Sequence, residues 1–363
     1  MKDIFYKLLI LIIISSGYNL SAQQKLSKTI KKSFEFTNAG ELQLENKYGN
    51  ITINGWNQNE IQITIDILVN KKEKADAKDL LERIKPFITS SDDFINVFSN
   101  IEEKNSGFFS KILNRANPFG FDKGNVQINY NINLPINSEI QITNKFGDII
   151  INEWNGKLKT ELQHGDLWIN NDLTNANIKM KFGNLRTKSI TYGNIELKNS
   201  EFDLETSKDL RINSSGSTIH IKSVGNLEIF SSKDKVTIED LKIIQGELRF
   251  SNVKLKHVKE NINLMMDVAD LKIDSVLKPD ANITINQKSS ELNINISNLS
   301  FDFDASLEQG LLRIPKSFRN IKNEVINSAK RLRNIKATYG SNNSKGKFLI
   351  TGKKGVILLK EEQ

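Results

Sequence analysis

The sequence predicts an all-β chain: a right-handed parallel β-solenoid, or β-helix, with a mixed N-terminal capping region that contains one amphipathic helix. Three observations predict it. A short unit recurs, since Asn144-Lys145-Phe146-Gly147-Asp148-Ile149 has relatives at Asn46-Lys47-Tyr48-Gly49-Asn50-Ile51, Met180-Lys181-Phe182-Gly183-Asn184-Leu185 and Ile190-Thr191-Tyr192-Gly193-Asn194-Ile195. The residue after the glycine falls at Asp148, Asp166 and Asn184, a spacing of 18 and 18. Between the turns, aliphatic and polar residues alternate with the period of a half-buried strand. A coil of this size cannot bury its apolar side alone. Coils stacked about 4.8 Å apart share one core and pair every strand with its neighbours. Parallel crossovers of this kind are right-handed. An antiparallel sandwich is the rival fold, and hairpin signals rather than a regular phase would mark it.

The 363 residues open with an export signal over 1–22. Lys2 and Lys7 are its basic end, Leu8 to Ile14 its apolar run, and Ser21-Ala22 the small residues before the cut, although Leu20 is bulky for that position. The run is shorter than the roughly 20 residues a spanning helix needs, and no later stretch supplies them. The chain has no cysteine, so disulfides, thiolate metal sites, cysteine nucleophiles and a lipid-anchoring cysteine are all excluded. The formal charge is +8. Acidic residues interleave with the basic ones, which describes a solvated surface rather than a nucleic-acid stripe. In an exported protein the matching anions are acidic glycans or lipid headgroups.

Residues 23–135 form the β-rich capping region. Phe34, Phe36, Leu42, Leu44, Ile51, Ile53 and the run Ile61, Ile63, Ile65, Ile67 mark its strands, punctuated by Gly40, Gly49 and Gly55. Over 71–85, Lys74, Ala75, Ala77, Leu80, Leu81 and Ile84 fit an amphipathic helix stopped by Pro86. Residues 102–124 are too long and irregular for an ordinary connection. Phe108, Phe109, Ile112, Phe119 and Phe121 make this Phe-rich loop a candidate contact for an envelope protein or a membrane surface; the alternative is that the rings fold back on the body. Val126 to Leu134 is a strand with Val126, Ile128, Tyr130, Ile132 and Leu134 on one face.

The solenoid repeats occupy 136–315. Weaker copies of the unit continue at Asn226, Glu247, Asp270, Glu291 and Leu311, 20 to 23 residues apart. Residues 316–363 read as a C-terminal cap. Phe318, Ile321, Val325, Ala329 and Leu332 fit a helix or an irregular cap, and 348–350 and 356–359 fit two closing strands. An open β end would invite aggregation and has to be covered.

The chemistry-bearing residues read as structural. Strand parity places Tyr48, Phe146, Phe182 and Tyr192 on the core side; the alternative is an exposed aromatic stack for sugars. Stacked corners would align Asp148, Asp166 and Asn184, too few oxygens for a Ca²⁺ site. His164, His220 and His257 have no metal-ligand companion at short spacing, and the acidic residues do not cluster as a glycan-cleaving enzyme requires. No catalytic residue, cofactor or metal ligand is assigned.

The Asn-Lys-Phe-Gly-Asp-Ile unit, the export signal, the strand end Leu134-Pro135 and the tail from Gly346 to Ile357 together resemble the adhesin-like β-helix domains of the Gram-negative cell envelope. The resemblance runs from about Ser33 to the C-terminus. It implies an exported, non-enzymatic solenoid in the periplasm or on the cell surface that presents a binding surface. Two alternatives stay open: a periplasmic structural or signalling protein docking through residues 108–121, and a polysaccharide-active β-helix enzyme.

Overall fold

The computed structural model describes residues 24–101, 125–341 and 346–361. Among them the only α-helix is Lys74–Arg83, and strands make up the rest of the regular structure. Two compact units are present. The smaller contains the helix within residues 66–85. Ala77 and Leu80, three apart on one helix face, are its buried side chains, and Arg83 meets Asp79 at 3.2 Å one turn away. The helix ends at Ile84, two residues before Pro86, as the restriction on the residue preceding proline requires.

The larger unit, residues 30–65, 86–99 and 128–363, is the parallel stack. Its repeating coil is clearest between Asn184 and Arg249. There Asn184–Lys198, Glu201–Ser215, Thr218–Ser232 and Lys235–Arg249 pair in parallel, each residue with the one 17 positions on, as Glu201 with Thr218. Every coil carries two inward-facing segments joined by a bend. Leu185, Phe202, Ile219, Val236 and Val253 stack in one buried column, and Ile195, Ile212, Ile229 and Gly246 follow one another in a second. Polar residues alternate outward, and burying one aliphatic contributes roughly 1.5–3 kcal/mol. Ladders of this length convert the period-two pattern into a continuous core.

One corner of the coil has a constant backbone signature. His164, Phe182, Asn199, Gly216, Lys233, Phe250, Val268 and Ser289 all have φ between 48° and 64°. For a non-glycine residue this left-handed conformation costs about 1–2 kcal/mol. Each corner recovers part of that cost through a backbone bond to the next coil, such as His164 N–H to Lys181 C=O at 2.9 Å and Lys233 N–H to Arg249 C=O at 2.9 Å. The corner therefore tolerates His, Phe, Asn, Lys, Val and Ser, and composition alone does not reveal it.

Both ends of the stack depart from chain order. Glu41–Tyr48 lies between Phe94–Ile101 and Glu139–Phe146, parallel to both. Ile51–Trp56 lies between residues 130–135 and Ile149–Asn152. The parallel stack thus includes strands N-terminal to 136. At the other end Gly346–Lys353 inserts between Ile283–Lys288 and Phe301–Glu308, and Val356–Lys360 inserts between Glu291–Asn295 and Leu311–Arg313. The two C-terminal strands are inner strands, not the closing strands expected.

Two further expectations are corrected. Residues 318–334 hold no helix: Arg319–Asn327 and Leu332–Tyr339 form an antiparallel pair, and the second also pairs antiparallel with Phe301–Glu308. An open ladder edge offers hydrogen bonds to every second residue, and β-branched Ile321, Val325 and Ile326 suit a strand better than a helix. The 20-to-23 spacing counted from Asn226 mixes three columns, those of Asn226 and Glu247 on the second segment and that of Asp270, Glu291 and Leu311 on the first. Asn226 pairs with Asp209 and Ile243, whereas Glu247 pairs with Phe230 and Met265. Both segments of a coil carry the same short pattern, so copy spacing alone cannot tell them apart.

Candidate functional site

The recurring Asn-x-aromatic-Gly-Asn/Asp unit is a corner device, and each of its positions has a mechanical role. The asparagine is buried: Asn144 donates its amide to the carbonyls of Gly147 at 2.9 Å and Gly49 at 3.1 Å, and Asn46 does the same to Ile128 at 3.1 Å. The glycine is required by close approach. A Cβ on Gly147 would lie 2.1 Å from the Gly49 carbonyl oxygen, one on Gly165 would lie 2.1 Å from that of Gly147, and one on Gly183 would lie 1.9 Å from that of Gly165. The Asn or Asp that follows caps the next coil. Asn50 Oδ1 accepts the Asp148 N–H at 2.9 Å, Asp148 Oδ1 the Asp166 N–H at 2.9 Å, and Asp166 Oδ1 the Asn184 N–H at 2.8 Å. The column foreseen from spacing exists, with its carboxylate oxygens engaged by backbone donors.

The aromatics depart from the parity expectation. Tyr48 is buried, Phe146 is half-buried, Phe182 is 47% exposed and Tyr192 is 43% exposed. Phe182 occupies the left-handed corner itself, which breaks the period-two alternation, and the ladder skips Thr191 between Ile190 and Tyr192. Tyr48, Phe146, His164 and Phe182 stack across four coils at 5.7, 5.2 and 4.9 Å, with interplanar angles of 10° or less. His164 is a member of this stack that pattern reading passed over, because it breaks the aromatic consensus. Rings stacked on one another cover their faces, and sugars pack on ring faces. The column is a brace between coils rather than a sugar platform.

Tyr192 belongs to a different place. It stands on a groove of about 850 Å³ along the second strand segments, whose floor is Leu158, Ala176, Gly193, Leu210 and Leu227. Ala176 and Gly193 are register partners, and these two small residues deepen the floor. Lys208 donates to the Tyr192 hydroxyl at 3.0 Å and lies 5.2 Å from its ring centre, and that hydrogen bond raises the Lys208 pKa. The amides of Asn175, Asn177, Asn194, Asn226 and Gln245 line the same groove, spread over successive coils. Asn226 donates to Asp209 at 2.5 Å, Arg211 faces Glu228 at 3.5 Å, and Asn177 Oδ1 is buried with no hydrogen-bond partner. An unpartnered buried amide oxygen calls for a water or a ligand hydroxyl. Lys157, Lys159 and Arg211 are balanced by Glu139, Asp209 and Glu228, and Lys208 at Tyr192 leaves a single positive charge in excess. Repetition built it, and no single motif in the sequence signals it.

A second depression of about 510 Å³ lies on the first strand segments. Its walls are columns of alternating charge: Arg186 faces Asp203 at 3.6 Å, and Lys256 bonds Glu239 at 2.6 Å, lowering the Glu239 pKa. Such exposed pairs set coil-to-coil register more than stability. His220 is exposed on this face, as its place between Ile219 and Ile221 predicts. His257 lies 3.4 Å from Asp240.

The export signal 1–22 and the candidate contact residues Phe108, Phe109, Ile112, Phe119 and Phe121 lie outside the described residues. Among the described residues, no helix is long and apolar enough to cross a membrane, and no group of three or more His, Asp or Glu side chains is arranged to hold a metal ion.

The fold and groove together define a class: a parallel β-solenoid without cysteine that presents an open groove with an apolar floor and polar side chains along it. No family model and no curated protein matches the chain. Solved structures to which it is similar include a candidate cell adhesion protein from Clostridium sporogenes (12% identity, 93% of this chain and 100% of that one, TM-score 0.20). Others are candidate adhesins from Bacteroides fragilis (11%, 92% and 97%, TM-score 0.26) and Parabacteroides merdae (13%, 74% and 90%, TM-score 0.22). At these scores the superpositions add nothing to the strand registers, on which the fold assignment rests.

Proposed function

We propose that the protein is an exported, adhesin-like, non-enzymatic binding scaffold of the cell envelope whose groove at Tyr192 takes a hydroxyl-rich glycan chain. The observation that carries this reading is the groove: it is lined by an exposed aromatic ring and, along successive coils, five side-chain amides, one with an unpartnered buried oxygen. An aromatic ring packs against sugar C–H groups, and planar amides match paired hydroxyls. The nearly balanced charge, one positive charge in excess, favours a neutral or weakly charged sugar over the strongly acidic glycan that the net charge of the whole chain suggests. Long, open and shallow, the groove fits a polymer segment better than a small metabolite.

The test is a glycan array and a titration with the best glycan it finds. Wild type is expected to bind, and Tyr192→Ala to lose at least about tenfold in affinity, the scale of one aromatic contact, with an unchanged melting temperature. Binding that survives Tyr192→Ala, or no glycan binding at all, sinks the reading. Incubation with the bound glycan checks the non-enzymatic part, since release of new reducing ends would make the protein a glycan-cleaving enzyme.

A further inference from the structure

The strand Arg319–Asn327 is an edge of the larger unit, and all nine of its residues are exposed. Its ladder partner is Leu332–Tyr339, and its opposite edge has no ladder partner among the described residues. It is also apolar for such a position: Ile321 is 53%, Val325 63% and Ile326 54% exposed. A long exposed apolar edge is a template for another strand unless charge or proline blocks it, and no proline lies in this one.

The sequence of the strand says which partner fits. An antiparallel pairing with an identical strand centred on Asn323 places Ile321 opposite Val325 and Lys322 opposite Glu324 on both sides of the centre. Ile321 thus meets Val325 and each lysine meets a carboxylate, while Ile326 falls opposite Asn320 at the edge of the regular segment. Neither Lys322 nor Glu324 has an ion-pair partner within its own chain among the described residues. Cross-strand pairs of opposite charge and of aliphatics are each favourable, whereas like charges placed opposite are not. A two-fold axis requires just this self-complementarity. Asn320, at φ 54°, sits where the register with the inner strand shifts at one end, and a second shift falls between Val325 and Asn327. These irregularities bracket the central segment and limit the regular pairing to it.

We infer that this edge is a homodimer interface, in which two copies of the chain join antiparallel through residues 319–327 and continue the sheet across a two-fold axis. The inference is independent of the groove and of any glycan. One strand edge per copy is a small contact, so the dimer is expected to dissociate on dilution, on the order of micromolar.

Sedimentation velocity of the purified protein over a concentration series tests it. Wild type is expected to shift from monomer to dimer with concentration. Lys322→Glu alone and Glu324→Lys alone are each expected to weaken self-association at least tenfold, because like charges then face each other. Mixed one to one, the two variants are expected to form a heterodimer, and the double charge exchange in one chain is expected to restore the homodimer. Circular dichroism and thermal melts establish that each variant is folded; these surface residues carry no core contact that the exchange would remove. A monomer at every concentration, or a dimer indifferent to the single exchanges, overturns the inference.

Discussion

Gly165 has no space for a side chain: a Cβ there would lie 2.1 Å from the Gly147 carbonyl oxygen, which is backbone held in the corner by the Asn144 amide at 2.9 Å. Gly165→Ala is therefore expected to destabilise the fold by about 3 kcal/mol or more, read from the denaturation midpoint. Asp234 is the buried counterpart on a later coil. Only 3% exposed, its carboxylate accepts from Ser217 N–H at 2.7 Å, Ser214 Oγ at 2.6 Å, Ser231 Oγ at 2.7 Å and Ser232 N–H at 3.1 Å. Asp234→Ala strands those donors and is expected to cost about 3 kcal/mol, with Asp234→Asn losing less because one acceptor oxygen remains. Tyr130 gives a pH dependence. Burial pushes its phenol up to about 12, against the lowering effect of its hydrogen bond with Ser99. The folded chain favours the neutral phenol, so this contribution is fully present below pH 10, where the unfolded phenol ionises, and is lost as pH rises from 10 to about 12. Tyr130→Phe is expected to remove about 3 kcal/mol of alkaline slope across that window, measured as the difference between the two denaturation-versus-pH curves.

At the scale of elements, the C-terminal strands decide how one end of the stack holds together. Gly346–Lys353 separates Ile283–Lys288 from Phe301–Glu308, so ending the chain before Gly346 would unpair both neighbours at once. Such a truncation is expected to lose protection over the whole segment from Ile283 in hydrogen exchange, rather than to fray only at its new end. Protection retained in Ile283–Lys288 would show that the inserted strand is dispensable. This element also shows where reading the chain stops. That 348–350 and 356–359 are strands follows from their alternation. Their position inside the stack does not, because a parallel strand carries no mark of which neighbours it pairs with. The antiparallel pair at 319–339 was obscured for a related reason. Apolar residues at 321, 325, 329 and 332 satisfy a helical spacing by coincidence, and a nearby open ladder edge outweighs it.

For the whole molecule, the cell-envelope reading is tested by treating intact cells with protease and following an epitope-tagged chain beside a periplasmic marker. Loss of the tagged chain with the marker intact is expected for a surface adhesin. Survival of both would move the protein to the periplasm and redirect the glycan search to the components found there.

The sequence by itself determined the β-solenoid, its 18-residue early period, the aliphatic core columns, a helix within 71–85 and the alignment of Asp148, Asp166 and Asn184. All of these follow from local periodicity and turn chemistry, which are written residue by residue. Only the tertiary structure decided the order in which coils stack at the two ends, the exposure of Phe182 and Tyr192, the ring column through His164, and the groove. Those features depend on which strand lies beside which, and on a corner whose left-handed backbone accepts almost any residue once the next coil supplies its hydrogen bond. Pairing of that kind is a property of the stack, and no single coil encodes it.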